Sequence, residues 1–176
     1  MRYLVFDVES VGLHGEGFAV GWVLVSEEGI VLEQRVLACE PEDARGTDDN
    51  RKWVKEHCDT VRSVHSPSEL RTTFWNDWLL AKQQGALLAA DCNWPVESRF
   101  LLDCVADNPS EREWQGPYPF IDIGSVRFAA GLNPLGEEER REDELPQHHP
   151  LCDARQSARL LIEALQKLDS YKQVVS

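Results

Sequence analysis

The order of its strand-like and helix-like patterns constrains this chain more than any other feature. Residues 3–6, 19–25 and 29–38 are apolar or partly alternating, which marks strands. Glu27, Glu28 and Gly29 read as the hairpin turn between the second and third of these. Three strands with short, antiparallel connections therefore open the fold. Helical patterns and strands then alternate. A helix is predicted over 48–62, with Trp53, Val54, His57 and Val61 on one face. A second is opened by Ser66 or Ser68, has Pro67 and Glu69 near its start, carries Leu70, Phe74, Trp78, Leu79 and Ala81, and stops by Gly85. A strand over 86–90 follows, then a helix over 95–105 with Val96, Phe100, Leu101 and Cys104 inward. A strand over 120–123 comes next. An amphipathic helix over 153–168 closes the pattern, with Ala154, Ala158, Leu161, Ile162 and Leu165 on one side. Strands first and interleaved elements afterwards predict the α/β class, a mixed β-sheet flanked by helices. No internal repeat or second domain boundary is visible, so residues 1–170 are expected to form one domain and 171–176 a tail.

A chain of 176 residues is long enough for a single sizeable core. It has no run of roughly 18 apolar residues, so no membrane span is expected. It enters its first strand without the features of a signal peptide. The five cysteines, Cys39, Cys58, Cys92, Cys104 and Cys152, are odd in number and contain no CxxC pair. Reduced thiols in a cytoplasmic protein are the simplest account. A net charge of −13 opposes binding of long duplex through neutralised phosphates. Two substrate classes remain: nucleic acid that is short or held at its end, with cations supplying positive charge, or something other than nucleic acid.

The first chemical signal lies where the first strand ends. In Phe6-Asp7-Val8-Glu9-Ser10-Val11-Gly12-Leu13, Asp7 and Glu9 are two apart and so share one face of a strand. Two such carboxylates repel each other unless a cation lies between them, and a hard, oxygen-seeking ion suits the site. A solvated pair of strand-end acids is the plain alternative. The second signal is His148-His149-Pro150-Leu151-Cys152-Asp153-Ala154, which opens the last helix. Asp153 lies at the helix start, and His148 supplies an imidazole that titrates near neutrality. The plain alternative here is a helix cap beside a surface His. His148, His149, Cys152 and Asp153 also invite a zinc reading, although no second cluster stands at structural-zinc spacing.

Taken together, the two segments resemble the DEDDh branch of the DEDD 3′→5′ exonuclease superfamily, whose members include proofreading exonucleases, ribonuclease T and oligoribonuclease. The apolar strand with Asp, x, Glu, x, x, Gly, Leu resembles the family's first motif. His148 five residues before Asp153 resembles its third. The resemblance covers nearly the whole chain in element order and implies a ribonuclease H-like fold. The middle motif departs from the family. In Asn93-Trp94-Pro95-Val96-Glu97-Ser98-Arg99-Phe100-Leu101, the Asn-x-Pro turn and the Phe-Leu anchor match, but Glu97 stands where the family has Asp. Asp91 and Asp103 compete with Glu97 for that role. Asp122 resembles an acid that caps the next helix or holds a loop.

The resemblance implies two Mg²⁺ or Mn²⁺ ions. Asp7, Glu97 and Asp153 hold one of them, Asp7 contributes to the second, and Glu9 joins the first while facing the terminal 3′-hydroxyl. His148 acts as general base on the attacking water, and nucleoside 5′-monophosphates leave the 3′ end of single-stranded RNA or DNA. Gly12 lets backbone approach the substrate, and Leu13 lies against the terminal base. Trp53 and Trp94 are candidate stacking surfaces. Asn93 and Arg99, with Arg51, Lys52 and Lys55, are the other candidate contacts; the plain reading of Trp53 is a core residue. Some relatives dimerise, so a homodimer is among the expectations. The charge run over 137–144 reads as a solvated loop, or as a mobile flap beside His148. Three competing functions stay open: an end-binding protein that does not cleave, a phosphodiesterase or phosphatase-like enzyme using the same acids, and an acidic protein scaffold.

Overall fold

The computed structural model describes residues 1–175. Its centre is a five-stranded sheet of order β3-β2-β1-β4-β5. The strands are β1 Arg2–Ser10, β2 Gly17–Ser26, β3 Val31–Ala38, β4 Ala86–Ala90 and β5 Phe120–Asp122. The first three are antiparallel, as their short connections require, and β4 and β5 run parallel to β1. The hairpin between β2 and β3 turns at Gly29 (φ 85°), with Gly29 N–H donating to the Ser26 carbonyl at 3.0 Å.

Alternation along β1 divides the two cores. Leu4, Phe6 and Val8 join one apolar cluster with Phe74, Trp75 and Phe100. Tyr3 and Val5 join the other with Val23, Val25, Ala89, Ala158 and Leu161. Helices α2 Pro67–Gln83 and α3 Ser98–Asp107 cover the first face. Phe6, Phe74 and Phe100 meet there, with ring centroids 5.1–6.4 Å apart. Helices α5 Ile123–Ala129 and α6 Pro150–Val175 cover the second. Two further helices, α1 Asp48–His57 and the single turn α4 Pro109–Arg112, complete the set. Among the described residues no helix is long and apolar enough to cross a membrane.

The caps follow from the sequence. Ser66 accepts from Glu69 N–H, with Pro67 in the first turn of α2. Asp122 accepts from Ser125 N–H and starts α5. Such caps stabilise a helix by about 1 kcal/mol each. Three expectations are corrected. The first helix ends at His57 instead of running to 62, so that Val61 is exposed and Val54 is its buried residue. The helix at 95–105 is displaced: residues 93–97 form a wide turn, with extended backbone at Trp94, and regular helix begins at Ser98. Residues 171–175, expected as a tail, continue α6; Ser176 lies outside the described residues.

One glycine sets how α6 meets the sheet. Gly21 pairs with Asp7 across β1 and β2. A Cβ at Gly21 would lie 2.3 Å from both the Pro150 carbonyl carbon and the Leu151 nitrogen. The first turn of α6 therefore rests on bare backbone beside Asp7. Gly21→Ala is expected to push that turn away and to destabilise the protein by about 1–3 kcal/mol, the usual cost of overpacking, in urea unfolding. Unchanged stability would remove this account of the docking.

Candidate functional site

The site lies where the β1 face that buries Tyr3 and Val5 runs out beneath the start of α6. Period-two alternation continues Tyr3 and Val5 into Asp7 and Glu9. Because Gly21 lets α6 approach, Asp153 in its first turn is brought to the same place.

 

Ala89 in β4 pairs with Val5 in β1, so the next residues on the same face, Asp91 just past the end of β4 and Asp7 in β1, lie side by side. Glu97 reaches the cluster from the wide turn before α3, whose register is held by buried Phe100 and Leu101. Its carboxylate accepts a hydrogen bond from the Val8 N–H.

These acids perturb one another. Burial holds the Asp7 carboxyl well above the usual carboxylate range, and the negative charges of Glu97, Glu9, Asp153 and Asp91 raise it further. Burial, then Asp153, pushes Glu9 up to about 7, against a weak hydrogen bond from Cys58. Burial also takes Glu97 to about 7, with Asp91 and Glu9 adding to the rise. Burial raises Asp91 as well, and its Oδ1 is enclosed without a protein partner. Buried, clustered carboxylates with raised pKa values, one with an orphaned oxygen, are a donor set that fits hard divalent cations. Glu9, His148 and Asp153 each offer a ligand atom, and these atoms lie within 4.8 Å of one another.

His148 has φ 62°, the one non-glycine residue at positive φ among those described. Such a conformation costs of order 1–3 kcal/mol and clusters at functional sites. The His148 N–H donates to Asp153 Oδ2 at 3.1 Å, tying its loop to the acid. The Trp53 ring meets the imidazole edge-on at 5.3 Å. His149 has a different position: its Nδ1 accepts from Cys152 N–H at 3.4 Å, and its carbonyl accepts from Asp153 N–H at 3.0 Å. It caps α6. The zinc set of His148, His149, Cys152 and Asp153 does not converge, since Cys152 is buried and its thiol donates to the Leu145 carbonyl.

The other expected residues divide. Asp103 pairs instead with Arg99 and Arg45. Arg99 shares with Leu13, His14, Arg45 and Asn50 a surface cavity of about 320 Å³. Gly12 has φ 83°, and a Cβ there would lie 2.1 Å from Asn50 Nδ2, so the group that approaches it closely is Asn50. Leu13 and Trp94 are well exposed. Trp53 is half exposed, not core, and stacks on His57 with centroids 4.5 Å apart. The Asn93 side chain is directed at the Phe120 carbonyl, 3.5 Å away, and its N–H donates to Asp122, so it fastens the turn to β5. Of the basic patch, Arg51 bonds Asp48 and the Ala44 carbonyl, and Lys55 pairs with Glu42.

Two site residues escaped the sequence reading. The charge run over 137–144 is exposed at most positions, as expected of a solvated loop, but it is anchored at a few of them. Glu144 is buried and bound by Arg159 at 2.6 and 2.8 Å, and Arg140 from the same run forms an ion pair with Asp153. The thiol of Cys58, which follows α1, faces Glu9 Oε2 at 3.6 Å. Neither position carries a spacing signal; both depend on how the chain folds back.

The comparisons with known proteins bear on the fold. E. coli Exonuclease I, solved in complex with a dT13 oligonucleotide, superimposes with a TM-score of 0.68 at 14% identity, over 98% of this chain and 43% of that one. The fold is ribonuclease H-like. This chain spans less than half the length of that structure. No family model matches the sequence, and no curated protein matches it significantly.

The raised acids give a pH prediction. Glu9 and Glu97 bind protons more tightly when folded than at the ordinary glutamate value of 4.5. Between about 4.5 and 7 the folded state therefore carries more protons, and metal-free stability falls as pH rises. Melting curves across this window are expected to decline, with a shallower decline in Glu97→Gln. Equal slopes in the two proteins would remove Glu97 from the cluster. Calorimetric titration provides a second check. Glu97→Gln is expected to weaken Mn²⁺ binding by at least about 10-fold, the low end of the effect of altering even an outer partner of a metal ligand, while Asp103→Asn leaves it unchanged. The opposite ranking would reassign the middle acid.

Proposed function

We propose that this chain is a metal-dependent 3′→5′ exonuclease that releases nucleoside 5′-monophosphates from the ends of single-stranded RNA or DNA. The observation that carries the reading is the convergence of Asp7, Glu9, Glu97 and Asp153 beside His148 at one end of the sheet. Asp7, Glu97 and Asp153 would hold one Mg²⁺ or Mn²⁺ ion, Asp7 would contribute to a second, and Glu9 would join the first while facing the terminal 3′-hydroxyl. When bound, two such ions stabilise charge on the attacking and leaving oxygens of an in-line displacement.

The chain's own groups supply the rest. The His148 imidazole takes a proton from the attacking water, and its backbone bond to Asp153 keeps that imidazole beside the acids. Leu13 and Trp94 present exposed apolar surface to bases, and the Trp53 ring borders His148. The net charge of −13 is compatible with a substrate held at its end, where the cations offset the repulsion. Arg140 on Asp153 occupies an acid that the cation needs. Together with Glu97 in place of Asp, this favours one second reading, an end-binding protein that does not hydrolyse.

End-labelled single-stranded RNA and DNA, incubated with Mg²⁺ or Mn²⁺ and with chelator, separate the two. Stepwise, cation-dependent release of mononucleotides is expected, and Asp7→Ala and Asp153→Ala are expected to abolish it without unfolding the protein. His148→Ala is expected to slow single-turnover hydrolysis by roughly 10²–10⁴-fold, the usual contribution of a general base, and His149→Ala to do much less. End binding without release would establish the second reading. Release that survives chelator would exclude both.

A further inference from the structure

We infer that Cys58 makes one end of this site a zinc trap: Glu9, His148, Asp153 and Cys58 form a four-coordinate Zn²⁺ site, and zinc bound there holds the protein inactive. The coordination is independent of the proposed exonuclease activity; only the inactivation rests on that reading.

The donors come from three separate parts of the chain. Glu9 ends β1, Cys58 follows the last turn of α1, and His148 and Asp153 flank the start of α6. One ligand atom from each of Glu9, His148 and Asp153 falls within 4.8 Å of the others, and Cys58 Sγ is 3.6 Å from Glu9 Oε2. Zinc–ligand lengths of about 2.0–2.3 Å put the corners of a tetrahedron roughly 3.3–3.8 Å apart. The Cys58–Glu9 pair already meets that spacing, the pairs among Glu9, His148 and Asp153 need a closure of at most about 1 Å, and zinc binding requires the Cys58 side chain to turn toward His148 and Asp153 and Arg140 to release the Asp153 carboxylate. The Trp53 ring, five residues before Cys58, touches the His148 imidazole, so the end of α1 and the loop before α6 already meet.

The donor chemistry separates zinc from the catalytic cations. Mg²⁺ takes oxygen ligands, so sulfur and imidazole add little to its binding. Thiolate and imidazole are preferred zinc ligands, and with two carboxylates they complete a closed site with no position left for water. The thiol proton passes to solvent as zinc binds. The bound ion then takes the His148 nitrogen, the proposed general base, and the Glu9 carboxylate, a proposed ligand of the catalytic cation.

Co²⁺ serves as the probe, because four-coordinate cobalt with a thiolate ligand gives intense visible bands and a near-ultraviolet charge-transfer band. Chelator-stripped protein, with no nucleic acid present, is titrated with Co²⁺ and then with Zn²⁺. One equivalent of Co²⁺ is expected to develop both features, and one of Zn²⁺ to bleach them. A large excess of Mg²⁺ is expected not to bleach them. Cys58→Ser is expected to lose the charge-transfer band and to bind Zn²⁺ at least about 10-fold more weakly. In the unaltered protein, Zn²⁺ is expected to protect Cys58 from alkylation, read by peptide mass, while exposed Cys92 reacts with or without the metal. The idea is overturned if the unaltered protein shows no charge-transfer band, if the band survives in Cys58→Ser, or if zinc leaves Cys58 alkylation unchanged. The alkylation result stands even where Cys58→Ser fails to fold. If a nuclease assay shows no activity while the cobalt spectrum develops, the exonuclease reading fails and the zinc site stands.

Discussion

Mutual repulsion among carboxylates is the constraint on which the rest of this structure depends. Asp7, Glu9, Glu97, Asp153 and Asp91 crowd one end of the sheet, and burial together with their neighbours' charges raises the pKa of four of them. Such a cluster opposes folding unless the surrounding framework is firm. The framework here is an aromatic core of Phe6, Phe74 and Phe100 on one face of β1 and the α6 interface on the other. Apolar burial stabilises by about 25 cal/mol per Å², and it is this burial that keeps the acids together.

The framework also supplies internal counter-charges. Arg140 pairs with Asp153, and fully buried Arg127 pairs with Glu138 and bonds the Asn133 carbonyl. Arg159 grips Glu144. The segment before His148 is thereby fastened to α5 and α6 by arginines at both ends. A stretch with so many charges is ordered because its acids and bases find partners across the fold, which its composition alone does not reveal. The same fastening carries His148 to the acids in a strained backbone conformation that neighbouring contacts sustain.

The middle motif shows why register matters more than residue identity. Phe100 and Leu101 are buried, and their anchorage turns Glu97 toward Asp7. Asp103, six residues further on, faces Arg45 and Arg99 instead. Asp91 comes to the cluster by another route, through the parallel pairing of β4 with β1. Two acids thus reach the place where the sequence pattern provides for one, and the additional charge contributes to the raised pKa of Glu97.

Local rules sufficed for much of the molecule. Alternation and turn residues determined the antiparallel opening strands, capping residues determined where α2 and α5 begin, and the period of two placed Asp7 and Glu9 on one face. All of these act over a few residues, so a linear reading captures them. Tertiary structure alone decided the end of α1 at His57, the wide turn before α3, and the meeting of Arg140 and Cys58 with the acids. Each of these depends on what packs against the segment: bare backbone at Gly21 admits the start of α6, and the residues after α1 are placed by contacts as distant as Cys58 with Glu9. Side chains 49 positions apart are brought together by the global arrangement of helices on the sheet, for which no local periodicity codes.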